Sequence, residues 1–157
     1  DVRQIFAARR LLEIGIIDEA CEHCEAADTA ALKGIVAREN AAIQSGDRSG
    51  AIRLAGEFHV ELARVARNRP IQELLRQLVA QSSLALALYE APGHLLCVDD
   101  DHIDIITAVS AGDAAKSRDL MAKHLAKAEA EMKLEAPEDN NDLKSVFADV
   151  IDARAGV

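Results

Sequence analysis

Hydrophobic residues recur every three to four positions along most of the chain, with polar residues between them. This spacing places the hydrophobic residues on one face of a helix and is typical of amphipathic helices that pack around a core. No segment shows the strict alternation that indicates a β-strand. The pattern predicts helices over residues 2–26, 29–46, 50–67, 71–88, 99–111 and 114–133, with a seventh, shorter helix over 143–154. On the helix over 71–88, the residues expected to point inward are Leu74, Leu75, Leu78 and Val79. We therefore predict an all-α fold, an antiparallel bundle of six to seven helices.

Turn and capping residues mark the boundaries of these helices. Gly15 is expected to kink or divide the first helix, and the segments around Pro70 and Pro92 are expected to separate later ones. Asp28 is the predicted N-cap of the second helix, because a short acidic side chain can accept a hydrogen bond from the free N–H groups there. Asp47 or Ser49 is expected to cap the third in the same way.

The length of 157 residues fits a single domain. We expect a helical domain over residues 1–134 and a C-terminal tail over 135–157, which holds the short seventh helix. Because the chain begins at Asp1, already inside a helical pattern, we expect it to be a piece of a longer protein. No stretch is long and apolar enough to cross a membrane.

Composition and charge narrow the class of protein. Hydrophobic residues make up 50% of the chain but aromatic ones only 3%, so the core must consist of Ala, Leu, Ile and Val. The net charge of −9 argues against nucleic-acid binding by this segment itself, since phosphate contacts need a basic surface. An odd count of three cysteines does not suggest a disulfide scaffold and suits a reducing cytoplasm. Cys21 and Cys24 are expected to be ordinary helix-face residues.

Three of the five histidines occupy the apolar faces of three different predicted helices: His59, His102 and His124. A lone inward histidine is ordinarily a hydrogen-bonded core residue. Three in one small bundle are expensive to bury unless each finds a polar partner. A shared metal ion or a shared anion would satisfy all three, and neutral imidazole is a good ligand for zinc, nickel, cobalt or iron.

Four short segments carry a family resemblance. They read RRLLE at residues 9–13, FHVEL at 58–62 with an asparagine at 68, HIDII at 102–106 with Gly-Asp at 112–113, and MAKHL at 121–125. In this order and spacing they resemble the FCD domain, the C-terminal effector domain of the FadR subfamily of GntR-type bacterial transcription regulators. The resemblance covers about residues 1–133.

The resemblance implies a function for the whole protein. An N-terminal winged helix-turn-helix domain, which would precede Asp1 and is absent from this chain, binds operator DNA in the cytoplasm as part of a homodimer. The helical domain binds a small carboxylate or sugar-acid effector, often with a divalent metal, and changes the geometry of the dimer. The chain itself is then not an enzyme and has no membrane partner.

The resemblance also implies metal ligands at His59, His102 and His124, with one departure. Metal-binding members carry an aspartate one helical turn before the first histidine, where this chain has Ala55. Glu57 cannot replace it, because two positions away on a helix is nearly the opposite face. Three histidines can hold zinc with an open fourth position. We therefore expect zinc or nickel at reduced affinity.

Two further residues are candidates for effector binding. Arg9 shares the apolar face of the first helix and could bind the effector's carboxylate, or it could pair with Glu13 on its own helix. Asn68 could reach the pocket, or it could cap a helix or form a turn.

Two other classes of protein remain open at this stage. A helical-bundle metalloenzyme could use the three-histidine site to activate water. Against it, the chain lacks the Glu-x-x-His pairs of di-iron bundles and shows no general base on the same faces. A purely structural dimerisation module would have no central pocket.

Overall fold

A computed structural model describes residues 1–89 and 101–132. Within these ranges the backbone forms seven helices: α1 (Val2–Gly15), α2 (Ile17–His23), α3 (Ala26–Gln44), α4 (Arg48–Val65), α5 (Arg69–Tyr89), α6 (Asp101–Ser110) and α7 (Ala114–Glu131). The predicted all-α bundle of six to seven helices is confirmed. The predicted loop around Pro92 and the tail over 135–157 lie outside the described residues.

The helix boundaries follow local capping chemistry. The first predicted helix is divided at Gly15, and Ile16 connects α1 to α2. The prediction for Asp28 was wrong: Glu25 is the N-cap of α3, and Asp28 lies three residues further on, where its carboxylate accepts a hydrogen bond from the Glu25 N–H at 3.0 Å. Of the two residues predicted to cap α4, Asp47 and not Ser49 is the N-cap, and it accepts a hydrogen bond from the N–H of Gly50 at 2.9 Å.

Helix α4 lies between α3 and α5, while α1 packs against both α5 and α7, and α6 packs against α3 and α7. This order surrounds one centre with helices from every part of the described chain. Gly56 permits the close approach of α4 to α5, since a Cβ there would lie 2.7 Å from Cγ1 of Val79.

The buried face of α5 differs by one residue from the predicted one. Leu75 and Val79 are buried as expected, but Leu74, predicted to point inward, is 52% exposed. Ser82 continues the buried face one turn beyond Val79, because residues three and four apart share a helix face. The face turned toward the core therefore includes a polar residue that hydrophobic periodicity does not predict.

None of the helices in the described ranges combines length and apolarity in a way that would let it span a membrane.

Candidate metal centre

Three histidines from three helices meet in the core. His59 on α4, His102 on α6 and His124 on α7 are each 5% exposed or less. Nε2 of His124 lies 3.2 Å from Nε2 of His102 and 3.2 Å from Nε2 of His59. One ring nitrogen from each residue lies within 4.8 Å of the other two. The convergence expected from the helix faces is therefore observed, while the role as metal ligands stays a prediction.

The spacing of these nitrogens fits a small metal ion. Zinc binds histidine nitrogen at roughly 2.0–2.1 Å in tetrahedral geometry, which puts two such nitrogens roughly 3.3 Å apart. The two observed separations are 3.2 Å. Phe58 packs on the ring of His102 with a centroid distance of 4.1 Å, so that ring is held from one face by the core.

A carboxylate lies behind each imidazole, on the side away from the shared centre. The carboxylate O···Nδ1 distances are 2.5 Å for Glu13 and His59, 2.9 Å for Glu39 and His102, and 3.6 Å for Asp101 and His124. The contact between Glu39 and His102 has hydrogen-bond geometry, whereas in the other two pairs the atoms are close without forming a hydrogen bond. A carboxylate in this position favours a proton on Nδ1 and leaves the Nε2 lone pair free for a metal.

Sequence reasoning missed all three carboxylates as parts of the site. Glu13 entered only as a possible partner for Arg9. Neither Asp101 nor Glu39 was assigned to the site. A signal for Glu39 existed, because it follows Ile35 by four residues and Val36 by three and so shares the apolar face of α3.

The positions of the three imidazole N–H protons determine whether the centre can accept a cation or an anion. Three neutral imidazoles carry three N–H protons, and all three are used if every Nδ1 faces a carboxylate as a donor. The Nε2 lone pairs of His59 and His102 then both face that of His124 at 3.2 Å, which is repulsive. A cation among the three Nε2 atoms removes this repulsion, whereas an anion would add to it. The arrangement therefore favours a cation over the shared anion that the sequence left open.

Burial keeps the rings of His59 and His124 neutral. Desolvation lowers the pKa of His59 to about 3, with Glu13 opposing this shift and Arg9 adding to it. Desolvation likewise lowers the pKa of His124, although its contact with Asp101 opposes the shift. Burial by itself would raise the pKa of Glu13, but the neighbouring Arg9 and His59 outweigh it and bring that pKa to about 2. Near neutral pH, His59 and His124 therefore present the uncharged rings that bind metals.

Arg9 extends this network to α5. Its Nε lies 2.7 Å from Oε1 of Glu13, and its Nη1 donates a hydrogen bond to Oγ of Ser82 at 3.0 Å. The pairing with Glu13, one of the two predicted roles, is thus present. Arg9 is only 4% exposed, and its Nη2 has no hydrogen-bond partner among the described residues. The Nη2 group of this buried guanidinium therefore remains available to donate a hydrogen bond to an anion.

Asn68 is placed at a helix start. Its Oδ1 accepts a hydrogen bond from the N–H of Ile71 at 3.2 Å, so it caps α5. This is the capping role given as one of its two alternatives, and an effector contact by Asn68 stays a prediction.

The position one turn before His59 supplies no ligand, since Ala55 occupies it on α4. Glu57 does not replace it. Its carboxylate pairs with Arg38 at 2.8 Å and with Arg53 at 3.1 Å, both on exposed side chains.

Fold and centre together define an all-α domain built around three buried, carboxylate-backed histidines. A family model described as the FCD domain matches residues 4–127. Because this match covers most of the chain, the chain belongs to the FCD domain family, the effector domains of GntR-type regulators that the four motifs indicated.

One solved structure of similar fold is E. coli McbR/YncC, with a TM-score of 0.72 and 20% sequence identity over 82% of this chain. The chain spans 65% of the length of that protein. At this identity the likeness shows the fold alone. No curated protein matches the chain.

Proposed function

We propose that this chain is the ligand-sensing domain of a GntR-type transcription regulator of the FadR subfamily. It binds a small carboxylate or sugar-acid effector together with a divalent metal, zinc or nickel. Membership of the FCD family supports the regulator role. The observation that carries the metal is the convergence of three histidine Nε2 atoms, each ring backed by a carboxylate.

Arg9 is the proposed contact for the effector's carboxylate. Its unpaired Nη2 is buried and lies on the same side chain that contacts Glu13, which in turn contacts His59. Arg9 is also close enough to His59 and His124 for its charge to lower the pKa of both. An anion bound to Arg9 would therefore lie near the histidine centre, where Ala55 leaves a coordination position unfilled. Asn68 is the second proposed effector contact, from the start of α5.

Effector binding would act by shifting a population. A ligand that binds one conformation of the domain more tightly increases the share of that conformation, and a dimer transmits the change to DNA. We propose that the regulator is a cytoplasmic homodimer that binds operator DNA only through its N-terminal domain. The net charge of −9 fits this division, because the acidic chain would repel phosphates.

A binding role fits the centre better than catalysis. The carboxylates of Glu13, Glu39 and Asp101 contact Nδ1 atoms, on the far side of each ring from the shared centre. None of these three is therefore placed to activate a water there as a general base. For this reason we propose that the domain is not an enzyme.

Calorimetric titration of zinc and nickel at neutral pH, with elemental analysis of the purified domain, tests the metal. The wild-type domain is expected to bind zinc at a single site, and the His59→Ala/His102→Ala/His124→Ala variant is expected not to. His23→Ala is the matched control, because it removes a histidine outside the cluster. Equal zinc uptake by the wild type and the triple variant would rule out this metal site.

The regulator role is tested on the full-length protein. Its affinity for operator DNA should change when a panel of small carboxylates and sugar acids is added, and Arg9→Met should abolish the response. A full-length protein that sediments as a monomer at micromolar concentration, or whose DNA affinity ignores every acid in the panel, would contradict the proposal.

A further inference from the structure

Among the described residues, Glu39 differs from the other two carboxylates of the centre in having no lysine or arginine partner. Glu13 is paired with Arg9 at 2.7 Å, and Asp101 with Lys127 at 3.4 Å. Glu39 is only 2% exposed, and within the described ranges no lysine or arginine forms an ion pair with it. Its Oε2 contacts Nδ1 of His102 at 2.9 Å, while its Oε1 has no hydrogen-bond partner among these residues.

An isolated carboxylate in a protein core is costly, because burial removes its hydration without providing a compensating charge. A core position on α3 would ordinarily carry a hydrophobic residue, as the neighbouring Ile35 and Val36 do. The unbalanced negative charge is favourable only if a positive charge lies close by. The three Nε2 atoms at the centre are where such a charge would be bound.

The three ligands supply no charge of their own. Neutral imidazoles leave the two positive charges of a divalent ion unbalanced, and Ala55, one turn before His59, places no carboxylate beside them. A carboxylate hydrogen-bonded to a ligand histidine raises the basicity of that ligand and offsets part of the charge of the ion. Of the three carboxylates behind the rings, Glu39 is the one whose charge no lysine or arginine of the described residues balances.

We propose that Glu39 is a positioning residue of the metal centre: it fixes the orientation and tautomer of His102 and supplies, through that ring, the negative charge that the three histidine ligands lack. This inference rests on the proposed metal binding. It adds a residue to the site and gives a reason for a buried acid on α3.

Glu39→Gln is the informative substitution. The amide keeps the size of the side chain and an oxygen that accepts the hydrogen bond from Nδ1–H of His102, but it removes the charge. The zinc dissociation constant is expected to rise about 10- to 100-fold. The melting temperature of the metal-free domain is expected to rise, because an unbalanced buried charge has been removed. A residue with only a structural role would show the reverse: a lower melting temperature and little change in zinc affinity.

Two further variants complete the design. Glu57→Gln is the matched control, since it removes a carboxylate paired on the surface with Arg38 and Arg53, and zinc affinity should not change. Adding Ala55→Asp to Glu39→Gln should recover zinc affinity, because an acidic side chain one turn before His59 faces the same side of α4. Nitrogen-15 spectra of the metal-free Glu39→Gln domain should still show His102 protonated at Nδ1.

The outcomes separate the two proposals. If the wild-type domain takes up no zinc, the proposed metal function is wrong and this inference falls with it. If the wild type binds zinc and Glu39→Gln binds it equally well, the inference alone is wrong. Failure of Glu39→Gln to fold would also overturn the inference, because removing an unbalanced charge while keeping the hydrogen bond is expected to stabilise the core.

Discussion

Arg9 and Glu13 lie one helical turn apart on α1, and both are almost completely buried. They begin a continuous polar path through the core: Ser82, Arg9, Glu13 and His59 are each in contact with the next. Each group forms a hydrogen bond with its neighbour or neutralises its charge. Removing one member therefore leaves another without a partner in the low-polarity interior. At the scale of single residues, stability and the metal centre therefore depend on the same contacts.

Arg9→Met should destabilise the domain by about 3–5 kcal/mol, because Glu13 would remain as a buried charge without its basic partner. Adding Glu13→Gln should recover part of this loss by removing that charge. Arg10→Met is the control on the same helix: Arg10 pairs with Glu129 on partly exposed side chains, so its loss should amount to less than about 1 kcal/mol. Urea unfolding followed by circular dichroism measures all four proteins. An Arg9→Met domain as stable as wild type would contradict this account.

The metal-free domain should lose stability as the pH falls. The pKa of His59 is about 3 in the folded state against 6.5 ordinarily, and that of Glu13 is about 2 against 4.5. Both groups bind a proton at a higher pH in the unfolded chain than in the folded domain, so acid favours unfolding. His59 contributes to this loss of stability below about pH 6.5, and Glu13 below about pH 4.5.

Between about pH 7 and pH 5, His59 alone should account for a loss of about 2 kcal/mol in the free energy of unfolding. Urea unfolding with a chelator present, at several pH values in this range, measures the slope. His59→Gln should have a shallower slope than wild type. Stability that is constant or rises on acidification would show that His59 is not held neutral by burial.

The packing of α4 against α5 matters at the scale of elements, because α4 carries His59. Gly56 lets the two helices approach closely: an added Cβ would lie 2.7 Å from Cγ1 of Val79 and 3.2 Å from Oγ of Ser83. The first contact is shorter than real Cβ atoms tolerate, so the side chain of Val79 or one of the two helices would have to shift. A glycine in the middle of a helix is normally unfavourable, and here close packing explains it.

Gly56→Ala should therefore destabilise the domain by about 1–3 kcal/mol through overpacking. Gly34→Ala should do the opposite and stabilise it by about 0.5–1 kcal/mol, because Gly34 is an exposed position within α3 where an added Cβ meets nothing within 4 Å. Thermal unfolding of the two variants provides the comparison. Equal effects of the two substitutions would mean that helix propensity, and not the contact between α4 and α5, decides the outcome.

At the scale of the whole molecule, the centre joins helices that are far apart in sequence. The histidines come from α4, α6 and α7, and the carboxylates behind them from α1, α3 and the first residue of α6. An ion bound there would link five helices, and it would bind only when they are assembled. Metal binding and folding should therefore be coupled.

Zinc at a free concentration 100 times its dissociation constant should stabilise the domain by about 2.7 kcal/mol. The melting temperature should rise on adding zinc and return to its starting value on adding a chelator. The triple variant His59→Ala/His102→Ala/His124→Ala should show no zinc-dependent shift. A shift of equal size in that variant would mean that zinc stabilises the fold from another site.

The sequence alone determined the elements and the faces of most of them. Periodicity predicted the all-α bundle and the separate helices that form α3 to α7. Hydrophobic residues at every third or fourth position fall on one face of a helix. It also placed His59, His102 and His124 inward, each among the apolar residues of its own helix. The motifs around these histidines indicated the FCD family, to which the chain belongs.

Only the tertiary structure decided which faces meet. A helical pattern gives the direction of a side chain around its own axis, but not the neighbour toward which it is directed or the depth at which it lies. Leu74 was therefore predicted to point inward, but the buried face of α5 is centred on Leu75 and Val79, and Leu74 is exposed. Glu39 was not assigned to the site, although it lies behind His102, which is 63 residues away in sequence. Pairs of this kind depend on the order in which helices pack, which local periodicity along one chain does not contain.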